Sequence, residues 1–325
     1  MGGVTPARLS TAPLSITVLG PERPAPALPA VLAGLGVSGP VALVTAGWRF
    51  DEARDEPLRE ALARPVENLA LYQRFRLLER DMQALAAAYS AKQRALQVVK
   101  ERYRIAITHA HRACRALLPA DPTAASDPWL DGALRHLREV DAEFLREADV
   151  LHARFGDVCR PAEEARVRRQ LAQIDDQLSR CAVVLIAGGH VGVLRNRLAF
   201  YDLRPRLAGK HVIAWSGGAM CLTERVLLFH DHTSFGDGTA ELLDRGLGLL
   251  SDVVYLPHAR QRLDLENVAN VAVLARRLAP AAAIGLDNGA VLRGGRSCAS
   301  RAGSAYRLGA DGAVSPLPEA AECSP

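Results

Sequence analysis

Apolar residues in the first sixty positions come in short unbroken runs separated by polar turns. Ser15 to Leu19 (S-I-T-V-L) ends at Gly20, and Pro40 to Thr45 (P-V-A-L-V-T) is apolar almost throughout. Runs of this kind are expected of parallel strands buried on both faces. Pro29 to Leu35, closed by Gly36, predicts a short helix between them. D-E-A-R-D-E-P-L-R-E then opens another helix, with Asp51 placed as its cap. The chain begins as β-α-β-α.

The period then changes. From Glu67 to Leu118 there is neither glycine nor proline. Apolar or small residues recur at Leu71, Phe75, Leu78, Met82, Leu85, Tyr89, Leu96, Val99, Tyr103, Ala106, Ala110, Cys114 and Leu117, broken once at Lys92. That four-three alternation predicts one long coiled-coil-like helix, roughly 75 Å in extent. After P-A-D-P-T-A-A-S-D-P the spacing returns as Leu130, Leu134, Leu137, Asp141, Phe144, Ala148, Leu151 and Phe155. It breaks at G-D-V-C-R-P and resumes as Val167, Leu171, Ile174 and Leu178. The two arms match in length, so the chain comes back near its point of departure. Residues 67–180 therefore read as an antiparallel helical hairpin inserted into an α/β domain and projecting from it. The alternative is a helical subdomain lying flat on the body.

From Cys181 the α/β pattern resumes. C-A-V-V-L-I-A, H-V-I-A-W (211–215), S-D-V-V-Y-L-P (251–257) and A-A-A-I-G-L-D (281–287) predict strands. A-Y-R-L-G-A-D-G-A-V-S predicts an edge hairpin turning at Asp311-Gly312, and 313–325 reads as a disordered tail. The fold class is α/β, a three-layer fold with a mostly parallel sheet, built from 1–66 and 181–312.

Charge and composition narrow the function classes. The 325 residues include 40 basic and 36 acidic ones, a net charge of +4, with no Lys/Arg run interleaved with aromatics. Nucleic-acid binding is not indicated. No stretch approaches the roughly twenty apolar residues that span a bilayer. The opening M-G-G-V-T-P-A-R lacks a basic-then-apolar signal, and Pro6 stands where myristoylation wants Ser or Thr. No C-x-x-C pair occurs among the cysteines. Reduced thiols and a cytoplasmic location are expected.

The candidate chemistry centres on Ser216, in H-V-I-A-W-S-G-G-A-M-C-L-T-E (211–224). A strand–Ser–Gly–Gly–helix junction is the outline of a nucleophile elbow, where only small residues fit beside the serine. The amide of Gly217 there can donate to an oxyanion at the helix start. Gly188-Gly189-His190 follows the preceding strand, and neighbouring strands of a parallel sheet end in one crevice. A second oxyanion donor is expected from Gly188 or Gly189. His258, in Y-L-P-H-A-R, follows a third strand placed in the same sheet and can take the serine proton. Cys221 reads as core. His230, Asp231 and His232 lack further ligands at helical spacing, so no metal is expected. Arg260 and Arg262 are weak candidates for meeting an acidic substrate.

Four segments together resemble the peptidase E and cyanophycinase family of serine peptidases. They are I-A-G-G-H (186–190), I-A-W-S-G-G-A-M (213–220), L-P-H-A-R (256–260) and G-L-D-N-G-A (285–290). The resemblance covers 181–308, touches the first strands loosely, and leaves out the helical arms. It implies the class I glutamine amidotransferase-like, flavodoxin-like fold, with Ser216 as nucleophile and His258 as base. It also implies hydrolysis of small peptides with an acidic (aspartyl) residue at the scissile bond, without cofactor. Three departures stand out. Ser216-Gly217-Gly218 replaces Ser-Ala-Gly, and His190 replaces an asparagine. Asn288 stands where cyanophycinases carry a glutamate that orients the histidine. The peptidase E pattern places an acid about fifteen residues past the serine, which is Asp231, with Asp287 as second choice. A rival reading is a weakly active or inactive scaffold that engages a partner, or a second copy, through 67–180.

Overall fold

A computed structural model of the chain describes residues 12–22, 26–118, 127–231, 238–294 and 304–318. The apolar runs form β1 (Ser15–Leu19), β2 (Val41–Val44), β4 (Val183–Ile186) and β5 (His211–Trp215). Between them lies a short β3 (Val66–Asn68). Later strands are β6 (Arg225–Leu228), β7 (Glu241–Arg245), β8 (Val253–Pro257), β9 (Ala282–Leu286), β10 (Val291–Arg293), β11 (Ala305–Leu308) and β12 (Val314–Pro316). The main sheet has the order β3-β2-β4-β5-β1-β10 and is parallel except for β10 at one edge. Leu19 pairs with Trp215, and Ile186 with Ala214, so these strands end along one rim.

Unbroken apolar runs occur because alternate residues enter two different cores. Val18, Val44, Ile186 and Ala214 face the first. Leu19, Leu43, Leu185 and Trp215 face another, which also takes in residues of α1 (Leu28–Gly34) and α2 (Glu56–Leu62). The expectation of an α/β fold with a mostly parallel sheet holds for this sheet.

The expected single sheet does not. β8 and β9 pair with each other and with β11 and β12 in a separate four-stranded sheet, and β6 pairs with β7 alone. Both flanks of β5 are already taken, by β4 and β1, so β8 has no edge to join there. One face of the second sheet (Tyr255, Ile284, Leu286) shares the first core. The other face (Val254, Leu256, Ala283, Tyr306) forms a core of its own.

That further core explains the helical arms. They comprise α3 (Leu71–Asp81), α4 (Gln83–Leu117), α5 (Pro128–Cys159) and α6 (Ala165–Ser179). The rest of the helices are α7 (Val191–Phe200), α8 (Leu203–Arg206), α9 (Gly217–Leu222), α10 (Ala259–Arg262) and α11 (Val268–Leu278). The arms do not project. Tyr103, Ile107, Leu134, Leu137 and Phe144 pack in one core with Val226, Leu242, Val271 and Leu278 of the body. Phe75, Leu78, Leu85, Tyr89, Ile174 and Leu178 join the first core. Each arm carries a wider apolar face than the other arm covers, and the body takes the remainder. The long first arm is also two helices, broken at Met82 (φ −130°, ψ 82°). The turn at 119–126 lies outside the described residues.

Capping decides the other boundaries. The Asp127 carboxylate accepts from the Trp129 amide at 2.8 Å and Pro128 follows, which starts α5. Asp51 does not cap α2. It sits in a 3-10 turn (Ala46–Asp51), and α2 starts after Asp55, whose carboxylate binds Arg59 and Asn68. Buried Glu52 instead caps α3, accepting from the amides of Tyr72 and Gln73 at 2.9 and 2.7 Å. The tail is ordered further than expected: β12 pairs with β11 across the predicted turn, and the Leu317 amide donates to Ala305 at 2.9 Å. Residues 319–325 lie outside the described set. No helix among the described residues is long and apolar enough to cross a membrane.

Candidate active site

Ser216 follows β5 directly and opens α9 with φ 51° and ψ −122°. A left-handed φ on a serine is strained backbone, worth about 1–3 kcal/mol, and such strain concentrates at functional turns. The turn carries the side chain off the end of the sheet, as the small flanking residues predicted.

The Gly188-Gly189 loop lies directly over it. A Cβ added at Gly188 would sit 2.8 Å from Ser216 Cβ and 3.2 Å from both Ser216 Oγ and the Gly217 nitrogen. Gly189 has φ +114°, a conformation that side chains avoid, and Gly47 presses against it. The His190 amide donates to the Gly47 carbonyl at 2.8 Å, which pins the loop to the end of β2. His190 itself caps α7, its Nδ1 accepting from the Val193 amide at 3.2 Å. Its side chain therefore serves the helix start.

His258 follows β8 and opens α10, also with a positive φ (59°). Its amide donates to Leu286 of β9 at 2.8 Å. Its Nε2 lies 3.4 Å from Ser216 Oγ, so the two predicted residues meet although their strands belong to different sheets. Burial and the nearby Arg262 guanidinium hold the ring below the usual histidine range, while Asp287 and the Gln261 side chain pull the other way.

The candidate acids are distributed differently from the expectation. Asp231 is not among the partners of His258; its Oδ2 accepts from the Asp264 amide at 2.9 Å. Asp287 is the carboxylate whose charge reaches the ring, and it is shared with Arg260, whose Nε stands 2.9 Å from Asp287 Oδ2. Asn288 faces elsewhere, its amide donating to the Pro21 carbonyl at 2.8 Å. The Gln261 side chain, which sequence reasoning passed over, stands close enough to the ring to favour its protonated form, and the Gln261 amide donates to the His258 carbonyl at 3.0 Å. Its spacing is the available signal: three residues past His258 on a one-turn helix brings a side chain back over the ring. Arg260 stands 2.9 Å from Asp287 and lies over the Tyr306 ring, 4.6 Å from its centroid, with its side chain 58% exposed, and it is not among the residues lining the cleft beside Ser216.

Ser216 and His258 open into a cleft of about 920 Å³. Trp48, Trp215, Leu28, Leu58 and several prolines give it apolar walls, and Glu22, Asp51 and Arg54 add charge. Arg54 pairs with Asp51 at 3.0 Å. Burial pushes the Glu22 carboxyl up, against hydrogen bonds from the Leu28 and Ala27 amides.

No family model matches the sequence, and no curated protein does. Two solved structures overlap most of its length. A peptidase from an acI-B1 Actinobacterium is 14% identical with a TM-score of 0.45, over 96% of each chain. A candidate peptidase E from Listeria monocytogenes EGD-e is 11% identical with a TM-score of 0.41, over 89% of this chain and 99% of that one. Neither likeness bears on the chemistry, which is read from the residues above.

Proposed function

We propose that the protein is a serine-type hydrolase that cleaves small peptides, with Ser216 as nucleophile and His258 as base. The observation that carries this reading is the 3.4 Å approach of Ser216 Oγ to His258 Nε2 at a strained elbow facing an open cleft. In this reading the proton sits on Nδ1, toward the Gln261 side chain, and the Nε2 lone pair is left for the hydroxyl. Nε2 takes the proton as Oγ bonds to the scissile carbonyl carbon, and the carbonyl electron pair moves onto oxygen. The amides of Gly217 and of the Gly188-Gly189 loop receive that oxyanion. Collapse expels the amine, which takes the proton from His258; water then repeats the sequence to release the acid. Asp287 supplies charge at a distance and Gln261 orients the ring, so the arrangement is a dyad with a neutral third member.

The acidic-peptide preference implied by the resemblance needs a cation in the cleft, and Arg54 is the one its described lining offers. Labelling by a fluorophosphonate probe tests the core of the proposal: it should occur in the protein and vanish in Ser216→Ala and His258→Ala. An unlabelled native protein that hydrolyses no dipeptide would sink it. Among dipeptides, turnover of aspartyl substrates should fall in Arg54→Gln while neutral ones are unaffected.

A further inference from the structure

A second cavity, of about 160 Å³, lies where the helical arm meets the body, apart from the cleft. One face of α4, at i, i+3, i+4 and i+7 (Gln93, Leu96, Gln97, Lys100), forms one wall. Gly192 and Arg195 of α7, Leu243 of β7 and Phe144 of α5 close the others. Polar groups reach it unevenly. Arg195 is fully engaged, its Nη2 donating to Asp244 Oδ1 at 2.8 Å and its Nε to the Arg245 carbonyl at 2.7 Å. Asp244 also meets His152 at 2.7 Å. That ion pair is closed on itself.

Lys100 and Gln93 are not. Among the described residues the carboxylate paired with the Lys100 ammonium is Glu241, 3.9 Å away, and Arg104 already holds it at 2.9 and 3.0 Å. The Gln93 amide nitrogen is buried and has no hydrogen-bond partner among the described residues. Two donors and one surplus positive charge thus stand beside a small space that Leu96, Phe144 and Leu243 line on the apolar side and Gln97, Asn196 and the Arg195–Asp244 pair, all already hydrogen-bonded, line on the other. Buried donors of this kind cost free energy until an acceptor meets them.

We infer that this seam is a binding site for a small aliphatic carboxylate. Its carboxylate accepts from Lys100 Nζ and Gln93 Nε2, and its hydrocarbon end rests on Leu96, Phe144 and Leu243. A phosphate would satisfy the donors but leave the apolar wall unused; a neutral apolar molecule would leave the ammonium unmatched. The ligand bridges the two arms and β7 of the body, so it stabilises the folded chain in proportion to its occupancy. The site is independent of Ser216 chemistry, and so is its test.

Thermal unfolding of the full chain is followed with sodium isobutyrate, sodium phosphate and sodium chloride at equal ionic strength, and calorimetric titration gives the affinity of isobutyrate. Isobutyrate should raise Tm above the chloride control and phosphate should not. Lys100→Met should weaken isobutyrate at least tenfold, the effect of one charge-assisted hydrogen bond. Gln93→Leu should weaken it too while keeping or raising the Tm of the free protein, since a desolvated amide is removed. Equal curves in all three salts, a shift with phosphate alone, or an isobutyrate shift retained in both variants would each overturn the site.

Discussion

The seating of the helical arms hangs on one buried ion cluster, and breaking it should be expensive. Arg277 of α11 is 1% exposed, and Asp141 of α5 is 5% exposed. The guanidinium donates through Nε and Nη2 to both Asp141 oxygens, each at 2.7 Å, and through Nη1 to the Ala240 carbonyl at 2.6 Å. Tyr103 of α4 adds its hydroxyl, which donates to Asp141 at 2.8 Å and accepts from the Leu242 amide at 2.9 Å. Asp141→Asn keeps the shape but leaves the guanidinium without a counter-charge inside the second sheet's core. Removing one partner of a buried pair costs about 3–5 kcal/mol. At about 2.1 cal/mol/K of unfolding entropy per residue, that is a loss of roughly 4–7 °C in Tm for a chain of this length. Scanning calorimetry reads the shift, and a double-mutant cycle with Arg277→Gln isolates the pair, with an expected coupling of about 1–3 kcal/mol. On a projecting hairpin Asp141 would face water and its neutralisation would cost under about 0.5 kcal/mol. Additive single effects of that size would refute the packed arrangement.

The remaining expectations concern the candidate site. His258 must be neutral to act as base, and its pKa is held below the ordinary 6.5, so the acid limb of kcat/KM should lie below that value. Arg262→Gln removes a positive neighbour and should move the limb to higher pH, whereas Asp287→Asn should move it lower; limbs that stay in place would show that His258 is not the titrating group. Gln261→Leu should lower kcat by loss of ring orientation, while Gln261→Glu should restore it and raise the limb; equal rates in all three would remove Gln261 from the mechanism. Gly188→Ala puts a methyl 2.8 Å from Ser216 Cβ and should cut probe labelling by more than about 100-fold with the far-ultraviolet spectrum unchanged. Ser216→Gly relieves the left-handed strain and should stabilise the protein by about 1–3 kcal/mol while abolishing labelling.

Local pattern made part of this legible. Short apolar runs marked strands whose two faces are both buried, and the G-G and S-G-G turns marked places where backbones come within reach of one another. Such features depend on residues close in sequence. The errors came where one pattern has two three-dimensional solutions. A four-three apolar spacing suits both a free hairpin and an arm laid on a body, and only the width of the stripe separates them. Tyr103 and Asp141, a polar pair in the stripe, signalled a buried partner that neither arm supplies. Asp231 was favoured by its distance along the chain from Ser216, but that distance does not fix which way the 231–264 contact turns. Gln261 was missed because attention went to carboxylates, although an amide also accepts from an imidazole N–H.

The same packing bears on how Ser216 meets His258. The two follow strands of different sheets, so no ladder of backbone hydrogen bonds sets their separation. Side-chain packing sets it instead. Ala219 and Cys221 of α9 share the first core with Tyr255 of β8, while Met220 between them enters the second sheet's core beside Leu256. Residues of the short helix that carries the serine thus enter the same two cores as the two faces of the strand that carries the histidine. The core holding Met220 and Leu256 also holds Tyr103, Leu134, Leu137 and Phe144 from the arms. Loosening the arms therefore loosens one of the two cores that seat helix and strand together. A hydroxyl and an imidazole at 3.4 Å sit at the long end of hydrogen-bonding reach, and small shifts there change rates steeply. On this geometry the helical arms help to hold Ser216 beside His258, and variants such as Asp141→Asn should lower labelling at Ser216 at temperatures well below their unfolding. Labelling rates that stay native until the chain melts would confine the arms to stability alone.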